Sequence, residues 1–357
     1  MKKDQNIRVG ISIGDPNGIG MEVILKTFED PMMMDFCTPI IFGAVKTLSF
    51  VKKALSLDVN LHGIDAFAKA IDGKINVLNI VKEAPEVVFG EETKEAGAFA
   101  VQSFTAAVSA LKEGGIDVLV TAPIHKSNIQ SDDFKFPGHT DYLAQELEGD
   151  AMMLMVTDTL KVGLLTDHLP VKDVASSITP ELIVKKVDVL YDALQKDFGI
   201  RKPKIALLGI NPHVGDNGVI GDEDDTVLIP TLEKIRATGK VVYGPYAADS
   251  FFGSGNYKNF DAILAAYHDQ GLIPFKTLAF GKGVNYTAGL DKIRTSPDHG
   301  TAFGIAGKGE ADAGSFREAL YGAISIYKHR KEFELLTKNV LKVSIRKPGG
   351  RGRQGRN

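Results

Sequence analysis

Short apolar segments that favour β-strands alternate along this chain with longer segments of helical periodicity. Strand candidates lie at residues 8–14, 38–44, 118–123, 153–158, 204–210 and 262–268. Most of them are apolar on both faces, which is typical of strands covered by helices on each side of a sheet. The alternation therefore predicts an α/β fold with a largely parallel sheet.

Three helices carry clear boundary signals. The first spans Thr93 to Leu111 and repeats apolar or small side chains at helical spacing. The second spans Thr179 to Phe198, with threonine at the cap position and Pro180 in the first turn. The third is predicted to open at Ser315, because Glu318 follows three residues later as in a capping box.

Length and composition narrow the function classes. A chain of 357 residues suits two domains, and a formal net charge of -3 gives no global field that attracts nucleic acid. The one cysteine, Cys37, can form neither an internal disulfide nor a thiolate metal cluster, which fits a reducing compartment. The sequence shows no apolar run of membrane-spanning length and no secretory pattern at its start. We therefore expect a cytoplasmic protein that binds neither nucleic acid nor membrane.

Three of the eight histidines share one context. His168 in LLTDHLP, His213 in LGINPH and His268 in LAAYHDQG each lie at or just past the carboxyl end of a strand candidate. Ligand sites of open α/β sheets form at these ends, so three imidazoles can converge there and leave open positions on a divalent metal. A histidine after a strand is also commonly an ordinary hydrogen-bonded loop residue, so spacing alone leaves both interpretations open.

Two segments offer groups that bind anions. His139 follows Gly138, and Thr140 is placed to cap the next helix, so this helix start is either an anion site or a plain N-cap. A second segment, 276–294, is either a buried functional loop that binds phosphate and carboxylate or a solvated charged loop. Its cations and amide lie within apolar, glycine-rich surroundings, and they are Lys276, Lys282, Asn285, Lys292 and Arg294.

The first loop, GDPNGIG (14–20), lies between a strand candidate and a helix predicted to begin near Ile19. Its glycine spacing differs from G-x-G-x-x-G, and no Lys-Ser/Thr pair follows it. We interpret it as a tight turn that lines the cleft. A nicotinamide cofactor bound by other loops remains compatible with this pattern.

Seven ordered blocks carry a wider resemblance. They are GDPNGIG, VTAPIHK (120–126), PGHTDYLA (137–144), TDHLP (166–170), GINPHVGDNGVIGDED (209–224), AAYHDQGLIPFK (265–276) and VNYTAGLDKIRTSPDHGTAF (284–303). Together they extend over nearly the whole chain, from about Val9 to about Tyr327. In this order they resemble the 4-hydroxythreonine-4-phosphate dehydrogenase family.

The resemblance implies a fold like that of the isocitrate and isopropylmalate dehydrogenases, with two α/β/α domains and a cleft between them. We expect residues 1–145 plus 300–346 to form the first domain. Residues 146–299 would form the second, which carries the metal-ligand strands and the dimer contacts. Residues 347–357, rich in arginine and glycine, are expected to be a disordered basic tail.

The resemblance also implies the site. It implies a homodimer with its active site at the subunit interface, where His168, His213 and the partner subunit's His268 bind one Zn²⁺, Co²⁺, Mg²⁺ or Mn²⁺ ion. A loop that resembles part of the family's nucleotide region, for NAD+ or NADP+, carries Gly218, Gly221, Glu223 and Asp224. The substrate contacts implied are His139, Thr140, Lys276, Asn285 and Arg294.

The implied reaction is oxidation of 4-phosphohydroxy-L-threonine by NAD(P)+ to a 3-keto acid, which loses carbon dioxide to give 3-amino-2-oxopropyl phosphate for pyridoxal 5'-phosphate synthesis. Asp269 and Asp167, each beside a predicted ligand, are either the general base or carboxylates that orient an imidazole. Relatives with the same blocks oxidise D-threonate or D-erythronate 4-phosphate. A three-histidine hydrolase or aldolase, and a non-catalytic phosphometabolite-binding protein, are the alternatives outside the family.

Overall fold

The computed structural model describes residues 6–131, 134–136, 138–279 and 281–339. The predicted tail at 347–357 lies outside the described residues. The described strands form one large mixed sheet in the order β3-β4-β2-β1-β5-β12-β11-β6-β7-β10-β8-β9. Their bounds are β1 Arg8–Ser12, β2 Thr38–Gly43, β3 Leu61–Ile64, β4 Ile75–Asn79, β5 Val118–Thr121, β6 Gly149–Val156, β7 Lys161–Leu164, β8 Lys204–Leu208, β9 Val241–Tyr246, β10 Ala262–Ala265, β11 Val284–Leu290 and β12 Arg294–Pro297.

The sheet has two parallel wings joined by an antiparallel centre. One wing runs from β3 to β12 and the other from β7 to β9. At the centre, β6 pairs antiparallel with β7 and β11, and β11 pairs antiparallel with β12. The α/β prediction is confirmed, but the sequence analysis did not predict this centre. Its cause is local, because β6–β7 and β11–β12 are joined by connections too short for a parallel crossover.

Helices cover the sheet and carry the side chains that matter at its edge. Their bounds are α1 Gly20–Thr27, α2 Met33–Phe36, α3 Val45–Ala54, α4 Lys94–Lys112, α5 His139–Glu146, α6 Val174–Ser177, α7 Pro180–Lys196, α8 Ile229–Ala237, α9 Ala248–Gly253, α10 His268–Leu278 and α11 Gly314–Thr337. None of the described helices is long and apolar enough to cross a bilayer.

Two of the three predicted helix starts are confirmed. The Oγ1 atom of Thr93 accepts the backbone N–H of Ala96 at 3.2 Å, and Thr179 does the same at the start of α7. The capping box at Ser315 is wrong. Helix α11 begins at Gly314 without a side-chain cap, because the Ser315 hydroxyl donates instead to the carbonyl of Gly283 at 2.7 Å.

The core lies on both faces of the sheet, as the apolar strands require. Strands β1, β2, β5, β8 and β10 are almost fully buried. Helices α4, α7 and α11 pack over them through apolar faces. The carboxyl ends of the parallel strands therefore stay as the open edge where loops carry polar groups.

Candidate active site

Two neighbouring strands bring two of the predicted histidines together. Strands β7 and β10 are parallel and adjacent, with Leu164 opposite Ala265, so the residues that follow both strands emerge at one edge. The rings of His168 and His268 have centroids 6.0 Å apart. Two imidazoles that share a divalent ion at ~2.1 Å per nitrogen have centroids roughly 5 to 6.5 Å apart. This pair therefore fits a metal site.

Asp269 fixes the ring of His268. Its carboxylate lies 2.7 Å from Nδ1 of that ring, and since a carboxylate only accepts, Nδ1 carries the proton. The Nε2 atom is left with a lone pair for a metal. Asp167 differs, because its carboxylate accepts the backbone N–H of His168 at 2.9 Å and not the ring. Neither aspartate lines the cavity beside these histidines.

His213 does not join this pair within one chain, which differs from the expected arrangement of His168 and His213 in one subunit with the partner subunit's His268. It lines a different pocket together with Tyr267 and Gln270, which lie within two positions of His268 in sequence. Its loop has an unusual run of positive φ angles, including 53° at His213 itself and 57° at the β-branched Val214. Among the described residues of one chain, no three His, Cys, Asp or Glu side chains are grouped to hold a metal ion.

The predicted nucleotide loop shapes the segment that carries His213. Both oxygens of the buried Asp224 accept backbone N–H groups, from Ile210 at 2.8 Å and from Asn211 at 2.9 Å. Glu223 accepts the Asn211 amide at 2.7 Å, and this hydrogen bond lowers the pKa of the Glu223 carboxyl. Gly218 and Gly221 are exposed, with φ angles of 84° and 103°. Nucleotide contacts from this loop stay a prediction.

One cavity of about 350 Å³ gathers the predicted substrate residues. It lies where β5, α5, β11 and β12 meet the loops after β7 and β10. The segment 276–294, expected to be a loop, forms the end of α10, all of β11 and the start of β12. The predicted residues that line the cavity are His139, Thr140, His168, His268, Lys276, Asn285 and Arg294.

Other predictions for this region need correction. Lys282 lines a different pocket, and Lys292 lies 3.7 Å from Asp291 in an ion pair, so neither contributes to the cavity. Thr140 is not a helix cap, since α5 begins at His139 with Gly138 in the cap position and no capping side chain. Thr140 lines the cavity from the first turn instead.

The turn at 14–20 does not line the cavity either. It supports the cavity wall from behind, through hydrogen bonds from the Asp15 N–H to the Pro123 carbonyl at 2.9 Å and from the Ile19 N–H to the Thr301 carbonyl at 3.0 Å. Gly14 has a φ of 69°, and a Cβ there would lie 2.3 Å from the Pro123 oxygen. The close approach of these two loops therefore requires glycine.

Arg294 is a buried cation at the base of the cavity, only 2% exposed. Its Nε and Nη2 atoms donate to Thr121 Oγ1 at 3.0 and 2.6 Å, Nη1 donates to Thr287 at 3.3 Å, and Nη2 lies 2.9 Å from His139 Nδ1. It makes no ion pair with a carboxylate in the described part of the chain. Desolvation lowers the pKa of Arg294 to about 9. An anionic ligand would supply the missing counter-charge.

These contacts limit what Arg294 can do. A guanidinium has five N–H groups, and four of them point at Thr121, Thr287 and His139. One N–H remains for a ligand, so Arg294 cannot bind an anion through two parallel hydrogen bonds. Arg294 acts through its charge and one bond.

His139 is held as a neutral donor. Because Arg294 only donates, His139 Nδ1 must accept, and the proton lies on Nε2. Burial and the neighbouring guanidinium lower the pKa of His139 well below 6.5, so the ring stays neutral. Its Nε2 atom is buried and has no partner among the described residues, as is true of Asn285 Oδ1. Both atoms belong to residues that line the cavity, where a polar ligand can satisfy them.

The cavity also contains polar residues that sequence reasoning missed. Lys126, Ser296, Asp298 and His299 line it. His299 Nδ1 lies 3.1 Å from the Gly300 carbonyl, and its buried Nε2 has no partner among the described residues. All four residues lie in or beside blocks that carried the resemblance, and that position was the available signal.

A larger groove of about 770 Å³ shares no lining residue with this cavity. Asp188, Asp192, Asp197 and Arg330 line it. Its carboxylates are engaged with neighbouring cations, for example Asp188 with Lys240 at 2.6 Å and Asp197 with Arg330 at 2.6 Å. Chemistry, and not volume, therefore identifies the candidate site.

Comparison with known proteins decides the family. The family model described as pyridoxal phosphate biosynthetic protein PdxA matches residues 35–323. This chain belongs to the PdxA family. It is 46% identical over 342 residues to the 4-hydroxythreonine-4-phosphate dehydrogenase of Bacteroides thetaiotaomicron, with 95% of this chain and 94% of that protein covered. The resemblance stated from the sequence is confirmed.

Further PdxA-family comparisons agree in sequence and in fold. The 4-hydroxythreonine-4-phosphate dehydrogenase of Sulfurihydrogenibium sp. is 41% identical over 327 residues, covering 91% of this chain and 100% of that protein. The crystal structure of the enzyme of that name from Klebsiella pneumoniae superposes with a TM-score of 0.80 at 33% identity. It covers 92% of this chain and 99% of that one. The large mixed α/β sheet is thus shared with solved PdxA-family structures.

Proposed function

We propose that this protein oxidises 4-phosphohydroxy-L-threonine with NAD(P)+ and releases 3-amino-2-oxopropyl phosphate after decarboxylation, as a step of pyridoxal 5'-phosphate synthesis. One observation carries the proposal. A single cavity combines a paired-histidine site with Arg294, a buried cation that lacks a counter-ion among the described residues. A phosphorylated hydroxy acid needs both features, and the names of the relatives agree with it.

We infer that His168, His213 and His268 together bind one divalent ion, and that a second subunit completes this set. The inference is supported by the spacing of the His168 and His268 rings and by the pocket of His213, whose lining residues Tyr267 and Gln270 lie within two positions of His268 in sequence. Imidazole ligands suit Zn²⁺ or Co²⁺, and open positions filled by substrate oxygens also admit Mg²⁺ or Mn²⁺. When bound, the ion supplies Lewis-acid polarisation of the substrate hydroxyl and the nicotinamide accepts the hydride.

The chain's own residues bind and orient the substrate. Arg294 and Lys276 hold its anionic groups at one end of the cavity, and neutral His139 donates from Nε2 to the same end. Asn285 offers its Oδ1 to a substrate donor such as the ammonium group. Asp269 keeps His268 in the tautomer that presents Nε2 to the cavity, so we assign it an orienting role.

We further propose the domain division at 1–145 plus 300–346 and 146–299. The cavity is lined from both parts, by the loop after β5 and the start of α5 on one side and by α10, β11 and β12 on the other. The cytoplasmic location stays a prediction, supported by the single Cys37, which is buried and has its pKa raised to about 12 by burial. We expect NAD+ or NADP+ to bind in the cleft beside the cavity.

The substrate is tested by side-by-side assays of nicotinamide reduction. Purified protein, a divalent metal and NAD+ or NADP+ are mixed with 4-phosphohydroxy-L-threonine, D-threonate 4-phosphate or D-erythronate 4-phosphate. We expect the highest kcat/KM with the first compound and stoichiometric carbon dioxide release. A preference for either sugar-acid phosphate would assign the protein to the alternative dehydrogenases, and no reduction with any of them would refute the proposal.

The shared metal site is tested by mixing inactive subunits. We expect His168→Ala, His213→Ala and His268→Ala each to lower metal content and turnover while the protein stays folded. Two variant proteins are then refolded together. If the two replaced histidines come from different subunits of one site, half of the dimers are mixed and each mixed dimer has one intact site. Such a mixture should regain about a quarter of wild-type activity. Activity recovered in none of the three mixtures would show that no site is shared.

A further inference from the structure

One cation of the cavity has no role in the proposal above. Lys126 lies in the loop that follows β5, and its side chain lines the cavity together with Lys276 and Arg294. It forms no ion pair with a carboxylate among the described residues. An exposed lysine is often simply solvated, so its placement needs a structural cause.

The loop around Lys126 is anchored at several points. His125 lies 3.1 Å from the Ser127 hydroxyl and 3.5 Å from Glu92. Asn128 donates to the buried Asp15 at 3.3 Å. His125, Ser127 and Asn128 are therefore held by contacts within the protein, while Lys126 lines the cavity, as do Pro123 and Ile124 earlier in the loop.

The backbone of the loop is equally constrained. The Gln130 amide donates to the Lys126 carbonyl at 3.3 Å and to the Phe136 carbonyl at 2.8 Å. On the other side, a Cβ at Gly97 of α4 would lie only 2.0 Å from the Asn128 carbonyl oxygen, so the helix and loop backbones are in direct contact. The backbone of Lys126 is thus held by the fold, so only its side chain has to be ordered when it binds a ligand.

Counting donors shows why the cavity needs another cation. A phosphate monoester carries about -1.5 to -2 charges near neutral pH and has three strongly accepting oxygens. Arg294 has one N–H left for a ligand, and His139 has one. Each lysine adds three N–H donors and one full charge. Two carboxylates, Asp141 and Asp298, also line the cavity, so its cations must offset their charge as well as that of a phosphate.

We propose that Lys126 binds the phosphoryl group of the substrate and determines the preference for phosphorylated over unphosphorylated substrate. The inference rests on the proposed function, because it names the group that recognises the phosphate of that substrate. Lysine acts as a point charge toward phosphate, so a single ammonium fixed on one wall suits an ester that enters from the open side of the cavity.

The test compares Lys126→Met with wild type in two assays. The first measures binding of inorganic phosphate by calorimetry, which needs no turnover, and we expect the dissociation constant to rise about 10- to 100-fold. The second measures kcat/KM for 4-phosphohydroxy-L-threonine and for 4-hydroxy-L-threonine. We expect the variant to lose about 10- to 100-fold with the phosphorylated substrate and little with the other, while KM for NAD(P)+ stays unchanged.

Two further variants sharpen the result. Lys135→Met removes an exposed lysine nearby in sequence that does not line the cavity, so it should match wild type. Lys126→Arg keeps the charge and should recover most of the phosphate affinity. Unchanged phosphate binding in Lys126→Met, or a rise confined to KM for NAD(P)+, overturns the inference. Weakened phosphate binding in a protein that oxidises none of the substrates supports this site while refuting the proposed function.

Discussion

Replacing Arg294 with methionine should separate substrate binding from stability. The pKa of Arg294 falls from 12.5 to about 9 because burial disfavours its charge. A shift of that size corresponds to a cost of about 5 kcal/mol for keeping the charged form in the folded protein. The side chain recovers about 1 kcal/mol from each of its three partners, Thr121, Thr287 and His139. In the absence of an anion, the guanidinium is therefore close to neutral or mildly unfavourable for stability.

We expect Arg294→Met to change the free energy of unfolding of the ligand-free protein by less than about 2 kcal/mol, measured by urea denaturation. Affinity for the anionic substrate should fall much further. Removing one partner of a buried charge pair typically costs about 2 to 5 kcal/mol, or at least about 30-fold in the dissociation constant. A variant destabilised by more than about 4 kcal/mol, or one that binds inorganic phosphate as tightly as wild type, would refute this reasoning.

The pH dependence of binding gives an independent check on Arg294. The charged form binds the anion, so its contribution is complete below the pKa of about 9 and is lost as pH rises above it. Wild-type affinity for phosphate should then fall toward tenfold per pH unit above that point, and Arg294→Met should lack this component. His139 is already neutral because its pKa lies well below 6.5, so it should add no inflection near neutral pH.

Two further predictions concern groups that hold the site in place. Asp269→Asn should lower metal affinity about 10- to 100-fold by weakening the hold on His268, measured as metal content after dialysis against a chelator, whereas Asp167→Asn should change it little. An equal loss in both variants would contradict the orienting role. Tyr286→Phe removes a buried 2.5 Å hydrogen bond to Asp197. It should lower the free energy of unfolding, measured by urea denaturation, by about 1 to 3 kcal/mol and leave KM unchanged. A change in KM without loss of stability would contradict this structural role.

Two strands that the sequence analysis missed, β11 and β12, differ in composition from the strands it found. Each of the six predicted strands corresponds to a strand of the sheet, because apolar residues on both faces mark burial between helix layers. Strands β11 and β12 were interpreted as a functional loop, since VNYTAGL and RTSP carry polar groups. Their buried polar groups find partners far away in sequence, for example Arg294 of β12, which donates to Thr121 of β5. No local sequence pattern predicts the contact between Arg294 and Thr121.

The histidines show where reasoning from strand ends succeeds and where it stops. His168 and His268 lie within a few residues of the ends of β7 and β10. Because these strands are parallel neighbours, the sheet geometry places both histidines at one cavity. Strand β8 is also a neighbour of β10, so the same logic predicts His213 beside them. His213 lies five positions past the end of β8, against four for His168 past β7 and three for His268 past β10, and the path of the longer connection depends on turn geometry and not on the sheet.

The loop that carries His213 adopts a defined conformation that is energetically costly. Non-glycine residues in the left-handed region each cost roughly 1 to 2 kcal/mol, and four of them lie between residues 213 and 217. The buried carboxylate of Asp224, which accepts two backbone N–H groups, offsets part of that cost. A simple connection from β8 to α8 would not require such a strained backbone. We therefore propose that this strain fixes the position of His213 for the three-histidine metal site proposed above.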